Sequence, residues 1–252
     1  MPDTGAPYEI PFLDGTELVR AYPQFSEDLA DQIVAGLDRG FRYAGTRYYE
    51  SSGQFEKADP LGTGDIGLRA IRVRAQGAGG AGGSQDEETG SAGGGGGGGY
   101  AERFITDIAA LASSVTVTRG AGGSAPSTAA SGGTGGDSVF NPAGLNVRGD
   151  GGEGGMYRAA VFAVGGDGGA GSNADFVATG SDGGTVVQPG FRFQGGAGGS
   201  SHLGGGGKGA TGNSDGSPGK LYGGGGGGAA RTSSARLGGD GANGIVIIDC
   251  FV

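Results

Sequence analysis

Five times between residues 79 and 199 the chain repeats Gly-Gly-x-Gly-Gly, at 79–83, 132–136, 151–155, 165–169 and 195–199, with a partial copy at Gly238-Gly239-Asp240-Gly241. The x positions are Ala81, Thr134, Glu153, Asp167, Ala197 and Asp240, and unbroken glycine runs at 93–99, 204–207 and 223–228 are compatible with the same phase. A period of three belongs to an extended polyproline-II-type helix, with about 3 residues per turn, about 3.1 Å rise and no internal hydrogen bonds. Isolated, such a segment is solvated, and glycine loses more entropy on ordering than any other residue. Packed side by side, its N–H and C=O groups can pair with neighbouring segments, provided the contact faces carry no Cβ. Two of every three positions must then be glycine, while the third faces outward and accepts any side chain. Backbone hydrogen bonds, supplemented by Cα–H···O contacts, would hold such a module together. Collagen does not fit, because no strict Gly-X-Y array exists and only 9 prolines are present. A flexible linker is disfavoured by the strand-like segments between the tracts.

Almost all of the 66 glycines fall between residues 75 and 244, and with no tryptophan and 35% hydrophobic residues any conventional core must be small. Residues 1–24 read as an extended arm, because Pro2, Pro7, Pro11 and Pro23 each restrict the preceding residue. Ser26 is suited to cap a helix whose first turn carries Glu27 and Asp28, and Gly40 to end it. Leu29, Ile33, Val34 and Leu37 form a stripe at helical spacing that must pack on something, a sister copy or the following strands. Residues 41–60 read as strands forming a hairpin, and Asp59–Gly64 as a turn-rich connector. From Asp65 the apolar alternation Ile71, Val73, Ala75 marks a half-buried strand. Further candidates are 104–111, 115–118, 145–147, 159–164 and 245–248. The expected fold is therefore mainly β or irregular, with a short N-terminal helix and then a small β-sheet core carrying bundled polyglycine-II-like helices. The expected domains are residues 1–64, an attachment and oligomerisation part, and residues 65–252, a glycine-rich distal part.

The net charge of −9 without basic clusters disfavours nucleic acid as a partner. Cys250 stands alone, which removes an intrachain disulfide and any multi-cysteine metal site, and it reads as a buried residue of a terminal strand. His202 is the only histidine and reads as a polar turn residue, so acid–base pairs and histidine metal clusters have no material. No enzyme, cofactor or metal site is expected. Residues 204–208 resemble a phosphate loop only superficially, since Gly209 follows Lys208. Neither a signal segment nor an apolar run long enough to span a membrane is apparent. The better binding candidates are aromatic and polar residues between tracts: Tyr157, Arg158, Phe162, Asp175, Phe176, Phe191, Phe193 and Tyr222. Aromatic faces beside Asp or Arg suit saccharide or protein contacts, and the same rings could equally fill gaps between strands and tracts.

The run 93–99 followed by Tyr100 and a strand, the segment from Ser114 to Gly123, and the ending from Gly238 to Ile248 together resemble the glycine-rich domain of tailed-phage fibre proteins. Tyr8-Glu9-Ile10-Pro11, with Ala30-Asp31 and Gly36-Leu37-Asp38, is similar to minor tail proteins of phages infecting actinobacteria. The resemblance implies a virion tail component assembled in the host cytoplasm. Its N-terminal arm would bind other tail proteins, its distal domain would contact a host cell-surface glycan or protein, and it would form a homotrimer. It is also similar to polyglycine-II adhesins with variable loops at their tips. A purely structural tail or baseplate component and an ice-binding protein are the alternatives.

Overall fold

Most strands of this chain run straight into a glycine tract, so one extended backbone passes from a region held by side chains to a region held by peptide groups. The structure, a computed structural model, describes residues 40–86, 90–142, 145–157, 162–187 and 193–252. Its strands are β1 (Tyr43–Tyr49), β2 (Gly53–Glu56), β3 (Ala70–Gln76), β4 (Gly90–Ser91), β5 (Tyr100–Ile105), β6 (Ser114–Thr118), β7 (Ser138–Asn141), β8 (Val147–Gly149), β9 (Phe162–Ala163), β10 (Gly171–Ser172), β11 (Phe176–Ala178), β12 (Val186–Val187), β13 (Ala230–Arg231) and β14 (Ile245–Phe251). One five-stranded sheet has the order β1-β14-β3-β5-β11 and a second the order β10-β8-β7-β6-β2, with every pairing antiparallel.

The period-2 alternation places Ile71, Val73 and Ala75 of β3, Ala101 and Ile105 of β5, and Val246, Ile248 and Cys250 of β14 in one buried cluster. Phe55, Val115, Val117, Phe140 and Val147 of the second sheet close that cluster. The Phe55 and Phe140 rings meet edge to face, 5.9 Å apart. Each such side chain, fully buried, contributes about 1.5–3 kcal/mol.

Past Gln76 and Tyr100 the β3–β5 pairing continues as paired tracts, through Gly77 N–H to Gly99 O, Gly80 to Gly96 and Gly83 to Gly93. Among the described residues, three tracts (77–83, 93–99 and 223–229) lie inside a ring of nine others, at 120–125, 130–136, 150–156, 164–170, 180–184, 195–200, 204–210, 214–220 and 236–242. The ring closes on itself, from Gly136 N–H on Ala121 O round to Gly241 N–H on Gly123 O. Tract 93–99 shows the rule. Gly93, Gly94 and Gly95 donate in turn to Met156, Gly184 and Gly226, and Gly96, Gly97 and Gly98 repeat the rotation on Glu153, Ser181 and Gly223.

The inner tract 93–99 is crowded on every side. A Cβ on Gly94 would sit 2.0 Å from the Ala197 carbonyl oxygen, one on Gly95 2.2 Å from Gly80 O, and one on Gly96 2.0 Å from Asp167 O. Three consecutive directions are blocked, so tract 93–99 is pure glycine. A ring tract has one open direction, and there Thr134, Glu153, Asp167, Ala197 and Asp240 are exposed. Ala81 is the exception, buried inside with Ala78. At the rim, side-chain oxygens stand in for absent neighbours. Asp137, Asp182, Asp215 and Asp240 accept the N–H of Gly151, Gly168, Leu237 and Ala125, while Thr185 and Asn243 accept those of Gly165 and Gly122.

Several sequence expectations are corrected here. The described residues contain no helix, so the fold class of a short helix with bundled polyglycine-II-like helices gives way to mainly β-strand joined by extended glycine tracts. The tract amides of 77–83 and 93–99 all leave sideways to other segments. The helix expected from Ser26, with Leu29, Ile33, Val34 and Leu37, falls in residues 1–39, outside the described ones. The hairpin expected at 41–60 does not form: β1 pairs with β14, and β2 pairs with β6 in the other sheet, both within the compact unit Tyr43–Val252. The strand expected at 104–111 ends at Ile105, where Asp107 turns the chain by accepting the N–H of Ala110.

Candidate functional site

The eight aromatic and polar candidates do not converge on one place. Arg158 and Phe191 lie outside the described residues. Tyr157, Phe162 and Phe193 belong to the end of the bundle farthest from the sheets, where Tyr157 N–H donates to Ser131 Oγ and Phe193 O accepts the Gly212 N–H. That end is finished by the short pairs β9–β12 and β4–β13 and by the bridges Gln85–Arg236 and Gln194–Thr211. It leaves Phe162 49% and Val187 61% exposed. The opposite pole carries Tyr43 paired with Phe251, so the described chain both enters and leaves there.

Asp175, Phe176 and Tyr222 lie elsewhere, on or beside the outward face of the β1-β14-β3-β5-β11 sheet. Asp175 accepts the Phe104 N–H through Oδ2, and its own N–H donates to Glu102 O, which seats β11 on β5. Phe176 stands opposite Glu102 and meets Tyr100 edge to face at 6.1 Å. His202 stacks on Tyr100 at 4.2 Å, and its loop is tied down by Leu203 N–H on the buried Gln76 Oε1. Tyr222 donates its hydroxyl to Glu50. At the other end of the same face, Phe251 meets Phe104 at 5.6 Å and Tyr43 at 6.0 Å, both edge to face.

Between the two aromatic groups lies a charged floor. Asp249, almost fully buried, accepts from Arg72 at 2.7 Å and from Arg74 at 3.0 Å, and from the Thr46 hydroxyl at 2.5 Å. Glu102 approaches Arg72 at 4.0 Å and accepts the Tyr100 hydroxyl at 2.7 Å. Burial works to raise the Asp249 pKa, but the Thr46 and Arg72 hydrogen bonds and the charges of Arg74 and Arg72 outweigh it, leaving the carboxyl below its ordinary 3.8. Burial, reinforced by the hydrogen bond and charge of Glu102, pushes the Tyr100 hydroxyl up. Burial also raises Tyr49 to about 12 and Cys250 to about 11, so both stay neutral inside the sandwich. The floor thus offers directed donors and acceptors whose charges are already matched.

A family model described as a glycine-rich domain matches residues 59–251, most of the chain. The chain belongs to this family. The match covers every glycine tract and both sheets of the glycine-rich domain except β1 and β2, which complete its sheet edges from outside the matched span. No curated protein matches the chain. Among its described residues, no group of three or more His, Cys, Asp or Glu is placed to hold a metal ion, and no helix is long and apolar enough to cross a membrane.

Sequence reasoning did not single out Arg72, Arg74, Tyr100, Glu102, Phe104 or Asp249 as binding candidates, and it read His202 as a polar turn residue. One signal for part of them was present: the alternation that buries Ile71, Val73 and Ala75 sends Arg72 and Arg74 to the opposite face. Their convergence on Asp249, 177 and 175 residues away, had no sequence signature.

Proposed function

We propose that this glycine-rich protein is a structural component of a bacteriophage tail, a fibre or tip subunit that presents its distal loops to a host cell surface. The observation that carries this reading is the polarity of the unit Tyr43–Val252: chain entry at one pole, exposed Phe162 and Val187 at the other, and a closed ring of hydrogen-bonded tracts between them. Binding concentrates on loops held by rigid scaffolds, and many copies on one particle would multiply a weak contact. In this reading the N-terminal arm holds the protein to other tail proteins, the assembly is a homotrimer, and the protein has neither an enzymatic activity nor a cofactor. The distal partner is a host glycan or protein.

An ice-binding role would need a repeating outward row of Thr or Ala. The outward residues Thr134, Glu153, Asp167, Ala197 and Asp240 mix charge and size, which disfavours it. A purely structural baseplate component is separated by cell binding. Fluorescently labelled full-length protein should decorate host cells, and the pair Phe162→Ser and Val187→Ser should reduce decoration about tenfold. Detection of the chain in purified virions, but no decoration of cells at micromolar concentration, would leave the tail role standing and remove the adhesin.

A further inference from the structure

The outward face of the β1-β14-β3-β5-β11 sheet is unusual for a surface with no assigned task. Tyr48 is 64%, Phe176 51% and Phe104 40% exposed, and Tyr43 is exposed beside them. Single exposed aromatics are ordinary, whereas a shared patch with a polar centre marks a binding surface. Register places the pieces. Phe104 lies directly across from Arg72, Glu102 directly across from Arg74 on one side and from Phe176 on the other.

We propose that this face is a saccharide-binding platform, distinct from the distal loops, on which the apolar face of a neutral sugar stacks on Phe104 or Phe176 while Arg72 and Glu102 bond its hydroxyls. Two features select this occupant. First, the floor is electrically matched, two arginines against Asp249 and Glu102, so it supplies hydrogen bonds without a net charge to attract an ion. A polyhydroxyl ligand of zero charge is the complement of that pattern. Second, Arg72 and Glu102 keep side-chain exposures of 43% and 32%, so both side chains stay partly open to solvent. A protein partner covering this face would have to desolvate both charges, which is costly without new partners. A sugar, wet on its far side, leaves much of their hydration in place. Rigid aromatic rings with donors and acceptors between them are the arrangement that such ligands use. The proposal does not depend on the tail assignment.

The test uses the full-length protein and a panel of neutral hexose and pentose oligosaccharides in calorimetric titration. Since the chain has no tryptophan, quenching of its tyrosine emission, to which Tyr43 and Tyr48 contribute, gives a second readout. At least one oligosaccharide should bind, and Phe104→Ala and Arg72→Gln should each weaken it about tenfold. Thr134→Ala, at an outward position of the ring, should leave it unchanged, with all variants checked for an unaltered thermal transition. Absence of binding across the panel overturns the proposal, as does binding indifferent to Phe104→Ala, Phe176→Ala and Arg72→Gln. Loss of self-association in Phe104→Ala, in a protein that binds no sugar, would instead make this face an interface between copies.

Discussion

The sandwich and the tract bundle of this protein are built from the same extended backbone, yet they are held by different parts of it. In the sandwich, Phe55, Phe140, Val73 and Ile248 fill the space between two sheets, and each strand needs hydrogen-bonded neighbours only on its two edges. In the bundle, side chains are removed and the space they would fill is closed, so tract 93–99 donates to three neighbours and accepts from three more. The sandwich stabilises itself by burying apolar area, at about 25 cal/mol per Å². The bundle relies on hydrogen bonds worth about 0.5–1.5 kcal/mol net apiece, against the large ordering cost of glycine. A bundle of this kind succeeds only when nearly every amide is satisfied, which explains the rim aspartates together with Thr185 and Asn243.

The bundle therefore fails by addition and the sandwich by subtraction. Gly96→Ala places a methyl group 2.0 Å from a backbone oxygen with no flexible side chain to move, and should cost about 4 kcal/mol or more, measured by denaturant unfolding. A mild effect would mean that the ring can expand, and the rigid scaffold would be lost as an idea. Phe140→Ala removes half of the edge-to-face pair with Phe55 and should cost about 3 kcal/mol in the same assay.

Asp249→Asn breaks the link between β14, β1 and β3 and should cost about 2 kcal/mol at neutral pH. The folded carboxyl has a pKa below its unfolded value, so its stabilisation is complete above the ordinary 3.8 and disappears as pH falls through the lowered folded value. The Asn variant should therefore show a shallower loss of stability in that acid window. Its neutral-pH deficit and its acid slope report the same contact, and a variant with one change but not the other would contradict this account. Asp182→Ala should cost about 1 kcal/mol and accelerate hydrogen exchange at the Gly168 amide more than at the inner Gly96 amide. Thr134→Ala, at an open outward position, should change stability by less than about 0.5 kcal/mol.

Much of the sandwich was legible. The alternations at 71–75 and 115–118 and the apolar ending at 245–248 became β3, β6 and β14, and Cys250 is buried in the last of them. The hairpin expected at 41–60 was not, because local alternation names a strand but not its partner: β1 is completed by a segment some two hundred residues away. The binding candidates fared similarly. Phe176 and Asp175 were singled out as loop residues, and the structure makes them the edge of a sheet face whose other members, Phe104, Glu102 and Arg72, arrive from two further strands.

The sequence by itself determined that two of every three positions in the repeated tracts carry no side chain, since a missing Cβ is a local property with a local period. Tertiary structure decided which tracts lie inside, why Ala81 is buried, and how Arg72, Arg74 and Thr46 meet Asp249. The physical reason is that an extended amide carries no internal partner. Spacing can require that some carbonyl approach each face, but only the closed ring specifies which one arrives.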